Sequence, residues 1–217
     1  MSVRQGSGPT PEALPPTGPR SPARDRSALG LAGPEWAENH SVGRADRSYG
    51  EQVADILKTE RLTLEPAARA DLDILHAHWT DAEVRAFLFD GETVTLEYTA
   101  GAIERSLRES AAEAGLWIVR VHGSDDLAGA VGLRPLDAAG TEIYYSLAAS
   151  GRGRGYATEA ARAVVEHALT VLALPAVLAE VDEGNKASVA VVARLGMTAY
   201  ATEPGLLGQM IRYRRTR

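Results

Sequence analysis

Apolar residues recur at Ala157, Ala160, Ala161, Val164, Val165, Ala168, Leu169 and Leu172. That three- and four-residue spacing predicts a helix with one buried face. Pro175 limits how far it runs. Upstream, Thr141 to Leu147 is strand-like, and Gly151-Arg-Gly-Arg-Gly155 stands between the two. The chain here reads strand, glycine-rich loop, helix.

The same patterning covers the rest of the chain. Glu60 to Glu65 alternates, with Leu62 and Leu64 on one face, and Pro66 ends the strand. Helical spacing runs from Ala70 to Trp79. A second short helix is predicted over 81–89, and Asp90-Gly91 turns. Thr95 caps a longer helix predicted to reach Ala114, with Leu96, Ala100, Ile103 and Leu107 inward. Leu116 to Val121 and Leu127 to Leu133 read as strands joined at His122 to Asp126, and Asp137 to Gly140 is the next turn. After the loop helix come a strand at Ala176 to Val181 and a helix from Asn185 to Leu195, ended by Gly196. Met197 to Thr202 and Leu207 to Tyr213 are the last two strands. Counting the early helices as one region, the order is β, α, three β, α, β, α, β, β, an α+β layer structure.

Residues 1–56 differ from this. They hold seven of the eleven prolines and no Phe or Ile before Ile56. Such a composition buries too little apolar surface to offset ordering entropy, so a disordered tail is expected over 1–56 and a single domain over 57–217. Six arginines against seven acids through Ile56 make it no basic arm. The whole chain of 217 residues carries a formal charge of −6, which argues against nucleic acid as a partner. With no cysteine there is no thiol nucleophile and no zinc–thiolate site. The histidines at 40, 76, 78, 122 and 167 are scattered, so no metal is expected, and His167 falls on the polar side of its helix. No apolar run approaches the ~18 residues of a membrane span. A cytoplasmic protein, monomer or homodimer, is expected.

The glycine loop has a physical use. Glycines adopt positive φ and let backbone approach a ligand. The first N–H groups of a helix lack partners and favour negative charge, so phosphate suits the site, with Arg152 and Arg154 as added cations. No Gly-Lys-Ser/Thr follows, which excludes a Walker loop. The spacing Gly151-x-Gly153-x-Gly155 is not a dinucleotide fingerprint. Arg152-x-x-Gly155-x-Ala157 resembles the pyrophosphate loop of the GNAT-type N-acetyltransferases. The longer run Glu142-Ile-Tyr-Tyr-Ser-Leu, then Gly151 to Ala160, resembles the RimJ/RimL branch, which acetylates N-termini of ribosomal proteins.

That resemblance covers about residues 59 to 213. It implies a mixed, mostly antiparallel sheet with helices on both faces, ordered β-α-α-β-β-β-α-β-α-β-β. It implies acetyl-CoA as co-substrate and a primary amine as acceptor, with direct transfer in a ternary complex. Arg152, Gly153, Arg154, Gly155, Tyr156 and Ala157 would hold the cofactor, with amides near Leu147 freed by a splay between two strands. Asn185-Lys-Ala-Ser188 resembles the family's N-x-x-S: Asn185 would contact the cofactor arm, and Ser188 would donate a proton to the thiolate or hold the water that does. Glu142, on one strand face with Tyr144 and Ser146, would be the base, through water. Helix capping explains Asn185 and Ser188 equally well. Trp79 and Phe87 to Phe89 lie where relatives shape the acceptor pocket, although core packing also accounts for them. Arg212 to Arg217 is expected to fray. The branch favours a protein N-terminal α-amine. The alternatives are a small amine, an aminoglycoside-type antibiotic, or a non-catalytic acyl-CoA sensor on the same fold.

Overall fold

The computed structural model describes residues 54–136 and 139–217. Eight strands form one sheet: β1 (Leu57–Lys58), β2 (Leu62–Pro66), β3 (Leu116–Val121), β4 (Leu127–Leu136), β5 (Gly140–Leu147), β6 (Ala176–Asp182), β7 (Thr198–Gly205) and β8 (Gly208–Thr216). Their order is β1-β2-β3-β4-β5-β6-β8-β7. Neighbours pair antiparallel except β5 and β6, which are parallel. A parallel pair needs a crossover, and α5 (Tyr156–Thr170) provides it. The other helices are α1 (Leu72–Thr80), α2 (Ala82–Leu88), α3 (Leu96–Arg108), α4 (Ala111–Ala114) and α6 (Lys186–Arg194).

Strand alternation divides the core between two faces. Leu116 and Ile118 pack with Leu75, Trp79 and Ile103 from α1 and α3. Trp117 and Val119 pack on the other face with Ala160 and Val164 of α5 and Val192 of α6. Among the described residues, no helix is long and apolar enough to cross a membrane.

Four sequence expectations need correction. The helix expected to run from Thr95 to Ala114 is two helices, because Glu109 and Ser110 are extended at their junction. Its inward face is Thr99, Ala102, Ile103 and Ser106, while Leu96 is exposed. The hydroxyls explain this face: Thr99 Oγ1 lies 3.1 Å from His76 Nδ1, and Ser106 Oγ accepts from the Leu116 N–H at 3.0 Å. His167 is buried, its ring set edge-on to Trp117, and burial lowers its pKa. The C-terminus is not frayed: β8 lies between β6 and β7 through Thr216. Arg212 bonds Glu180 and Arg215 bonds Glu166.

Residues 1–53 of the expected tail lie outside the described residues, as do 137 and 138 of the expected turn. Ala54 to Ile56 are described. Ala54 is buried in the main core, and the Asp55 carbonyl accepts from the Trp117 indole at 2.8 Å.

Candidate active site

β4 flanks β5 along its whole length, from Leu136↔Gly140 to Gly129↔Leu147. On its other edge β5 meets β6 at one register position, Glu142↔Leu178. Beyond it the two parallel strands have no ladder pairs among the described residues. The sheet opens there, at the carboxyl ends of two parallel strands.

The glycine loop follows at once. Gly151 is buried, and a Cβ there would come within 2.8 Å of the Ala128 carbonyl oxygen. Gly153 and Gly155 have φ of +73° and +80°. Gly155 is the N-cap of α5 and offers no side-chain cap, so the first amides of a 15-residue helix are left for a ligand. A Cβ on Gly155 would meet only Arg61 Nη2, at 3.5 Å. The left-handed backbone, rather than crowding, is what requires glycine there.

This loop walls a cleft of about 1080 Å³ between β5, α5 and α6. That is just above the ~300–1,000 Å³ range usual for small-molecule sites. Leu147, Arg152, Gly153, Gly155, Ala157 and Asn185, all expected at the cofactor, line it together with Ser188, expected as the proton donor. The other two expected residues do not reach it with their side chains. Tyr156 is buried in the core, and Arg154 is exposed. Arg61, Arg152, Arg162 and Arg194 also line the cleft. Glu60, Glu83, Glu159 and Glu166 line it too, with Arg61 paired to Glu159 and Arg152 to Glu83, so it is the uncapped helix amides and two left-handed glycines that suit an anionic group such as the phosphates of coenzyme A.

A second, smaller cavity lies at the strand opening, lined by Arg134, Glu142, Tyr144, Glu180 and Asp182. It shares Phe87, Tyr145, Asn185 and Ser188 with the large cleft. Glu142 is buried and its Oε1 accepts from Arg134 Nε at 2.7 Å. Tyr144, beneath the Arg134 guanidinium at 5.0 Å, has its hydroxyl pushed above the usual range by burial. Strand alternation puts Tyr145 on the opposite face. Its hydroxyl donates to the Ser188 carbonyl at 3.4 Å, and burial pushes its pKa up to about 12. Asn185 caps α6, with Oδ1 accepting from the Ser188 N–H at 3.1 Å. The capping geometry leaves both residues on the wall between the cavities.

Arg152 has partners of its own. Its Nε donates to the Leu147 carbonyl at 3.2 Å, and its guanidinium pairs with Glu83 and, at 3.7 Å, with Asp81. The arginine thus ties the glycine loop to the start of α2. Of the aromatic residues near the acceptor side, Trp79 and Phe89 are buried against each other and Tyr98. Phe87 is 41% exposed and touches both cavities, so core packing does not account for it.

Sequence reading missed four residues here. Arg134 stands opposite Glu142 in the β4–β5 register, a pairing that needs the register to be known. His78 is buried and its Nε2 lies 2.8 Å from Ser146 Oγ. Arg61 and Glu159 join across the glycine loop at 2.5 Å. Glu159 could have been noticed: the helix dipole favours an acid in the first turn, but at an anion site that acid also repels the ligand. Burial works against its charge, but hydrogen bonds from Thr59 and Arg61 outweigh that and hold its carboxyl below the ordinary range.

Comparison with known proteins agrees with this geometry. The chain is 28% identical over 141 residues to the uncharacterized N-acetyltransferase p20 of Bacillus licheniformis, covering 62% of this chain and 78% of that one. The fold matches RimL, a ribosomal L7/L12 alpha-N-protein acetyltransferase solved with coenzyme A, at 18% identity and a TM-score of 0.63, over 75% of this chain and 98% of the other. It also matches spermidine N-acetyltransferase of Vibrio cholerae, solved with CoA and spermine, at 17% identity and a TM-score of 0.64, over 73% and 96%. Residues 61–198 match the acetyltransferase (GNAT) domain. The chain is an acetyltransferase of the GNAT family.

Proposed function

We infer that this enzyme moves an acetyl group from acetyl-CoA directly to a primary amine, with a protein N-terminal α-amine as the acceptor. One observation carries the reading: two cavities meet at Tyr145, Asn185 and Ser188, where β5 and β6 part. The large cleft suits the coenzyme, and the small cavity admits the amine from the other side. The thioester then lies at their junction.

The chemistry follows from what lines each side. The amine arrives protonated and must lose that proton before it attacks. An α-amine has an unperturbed pKa of ~8 against ~10.4 for lysine, so it needs less help near neutral pH. Glu142, fixed by Arg134, takes the proton through water. Glu180, paired with Arg212, and Asp182 line the same cavity. The new C–N bond forms as the C–S bond breaks, and amides at the strand opening near Leu147 hold the charge that develops on oxygen. Ser188 passes a proton to the departing thiolate and regains one from the nitrogen, which sheds its second proton as the amide forms. Tyr145, which stays protonated at neutral pH, holds the first turn of α6 through the Ser188 carbonyl. Relatives of the same fold include enzymes for protein N-termini and for spermidine, so the acceptor is where this reading is tested. With acetyl-CoA as donor, we assign the cytoplasm as its compartment.

Thiol release should be followed with acetyl-CoA and three acceptors: short peptides with free N-termini, the same peptides blocked at the N-terminus but carrying lysine, and polyamines. The α-amine reading predicts release with the first alone. Release with polyamines alone would transfer the assignment to small amines. Binding of CoA without release on any amine would favour the sensor.

A further inference from the structure

We propose that Arg61, from the turn between β1 and β2, is a positioning residue that readies the glycine loop for the phosphates of the coenzyme. The proposal rests on the acetyl-CoA reading.

Glu159 poses the problem. It sits in the first turn of α5, near where that helix would receive pyrophosphate; the helix dipole favours a carboxylate there, but the carboxylate repels an anionic ligand. Four donors from the β1–β2 turn hold it. Its Oε1 accepts from the Thr59 hydroxyl at 2.6 Å and the Arg61 N–H at 2.9 Å. Its Oε2 accepts from Arg61 Nε at 2.7 Å and lies 2.5 Å from Nη2. The turn is itself closed, since the Leu62 N–H donates to Thr59 Oγ1 at 2.9 Å. The carboxylate is therefore both neutralised and fixed by a segment about a hundred residues away in sequence.

Arg61 also acts on the loop backbone. Its Nη1 donates to the Arg154 carbonyl at 3.0 Å, and its guanidinium lies over the Tyr156 ring, 4.8 Å from the centroid. In a planar trans peptide the C=O and the next N–H point in opposite directions. Holding the Arg154 oxygen thus sets the direction of the Gly155 N–H, at the start of the anion site. Arg61 lines the cleft beside Gly153 and Gly155. One side chain so cancels a charge the phosphates would oppose and orients an amide that would receive them.

A positioning role for the phosphate loop has a signature that general destabilisation lacks. CoA carries the pyrophosphate, and pantetheine has the same thiol arm without it. Binding of each should be measured on the full chain, by calorimetry for CoA and by NMR titration for pantetheine. The test uses wild type, Arg61→Gln, Glu159→Gln and the double variant, with melting temperature recorded for each. Arg61→Gln should weaken CoA at least tenfold and leave pantetheine within twofold. Glu159→Gln keeps an oxygen for the clasp and removes the charge, so it should bind CoA as tightly as wild type or more tightly. The double variant should recover part of the loss. Equal losses for both probes, an unchanged CoA affinity in Arg61→Gln, or a larger loss in Glu159→Gln than in Arg61→Gln would overturn the proposal. If Arg61→Gln does not fold, weaker CoA binding by Glu159→Gln than by wild type would overturn the proposal. Wild type that does not bind CoA would overturn the acetyl-CoA reading and this proposal together.

Discussion

Arg134 and Glu142 stand opposite each other in the β4–β5 register, and Arg134 Nε donates to Glu142 Oε1 at 2.7 Å. The pair fixes a buried carboxylate at the point where β5 and β6 part. One oxygen is held by the guanidinium, and among the described residues Oε2 takes no hydrogen bond, which leaves it for a water on the acceptor side. Glu142→Gln keeps the shape and an acceptor for Arg134 but cannot take a proton. It should lower kcat roughly 100-fold near pH 7, with CoA affinity unchanged. The deficit should narrow above pH ~8, as more of the α-amine arrives unprotonated. A wild-type pH–rate profile in this variant would remove Glu142 as base.

Gly132 faces Tyr144 across the same two strands. A Cβ on Gly132 would lie 2.4 Å from Tyr144 Cζ and Oη, so the ring would have to leave its place beneath Arg134. Gly132→Ala should therefore destabilise the domain by about 1–3 kcal/mol. In a Tyr144→Leu background, where the ring is gone, the same change should cost much less. Thermal melts of the four proteins in this cycle check it, and additive losses would contradict the account.

The start of the domain can be located by truncation. Removal of residues 1–53 should leave melting temperature and activity nearly unchanged, because their composition offers no core. Removal of 1–58 also takes Ala54 and Leu57 from the main core and the Asp55 carbonyl from the Trp117 indole. It should cost several degrees at least. Equal melting temperatures for the two truncations would show that Ala54 to Lys58 contribute nothing.

His78 gives stability a pH dependence. Burial holds its imidazole down at about 4, with Asp81 opposing and Arg152 adding to the shift. The unfolded chain titrates near ~6.5. Between those values the unfolded state binds a proton that the folded state does not, so stability is lost as pH falls from ~6.5 to ~4. The loss is on the order of 3 kcal/mol. His78→Gln keeps a group to meet Ser146 and should flatten that part of the curve, leaving the share of His167, whose pKa is also lowered. Melting curves from pH 7 to pH 4.5 should converge for the two proteins, and a constant gap would contradict the assignment.

What was legible in the sequence was mainly local. The helix at Ala157 to Leu172 and its glycine loop were visible because apolar period and loop chemistry occupy adjacent residues. So was the α+β order, since most strands alternate cleanly between turn residues. The inward face of α3 was not, because its buried Thr99 and Ser106 are polar by type and buried only through partners on α1 and β3. His167 was misplaced for the same reason: it stands on a polar stripe that Trp117 and Asp55 cover. The candidate site was readable where one motif held it, as with Gly155 and Asn185. It was unreadable where distant strands meet: Arg134 with Glu142 needs a register, and Arg61 with Glu159 needs the tertiary fold.

The central claim is transfer from acetyl-CoA to an amine at the opening between β5 and β6. The most direct measurement is mass spectrometry of the acceptor, run alongside free CoA, for the purified full chain with acetyl-CoA and an N-terminal peptide. The account predicts one acetyl group on the peptide α-amine for each CoA released, and no acetylated enzyme at any time. CoA released without acetylated peptide, or an acetyl group found on the protein itself as an intermediate, would contradict it.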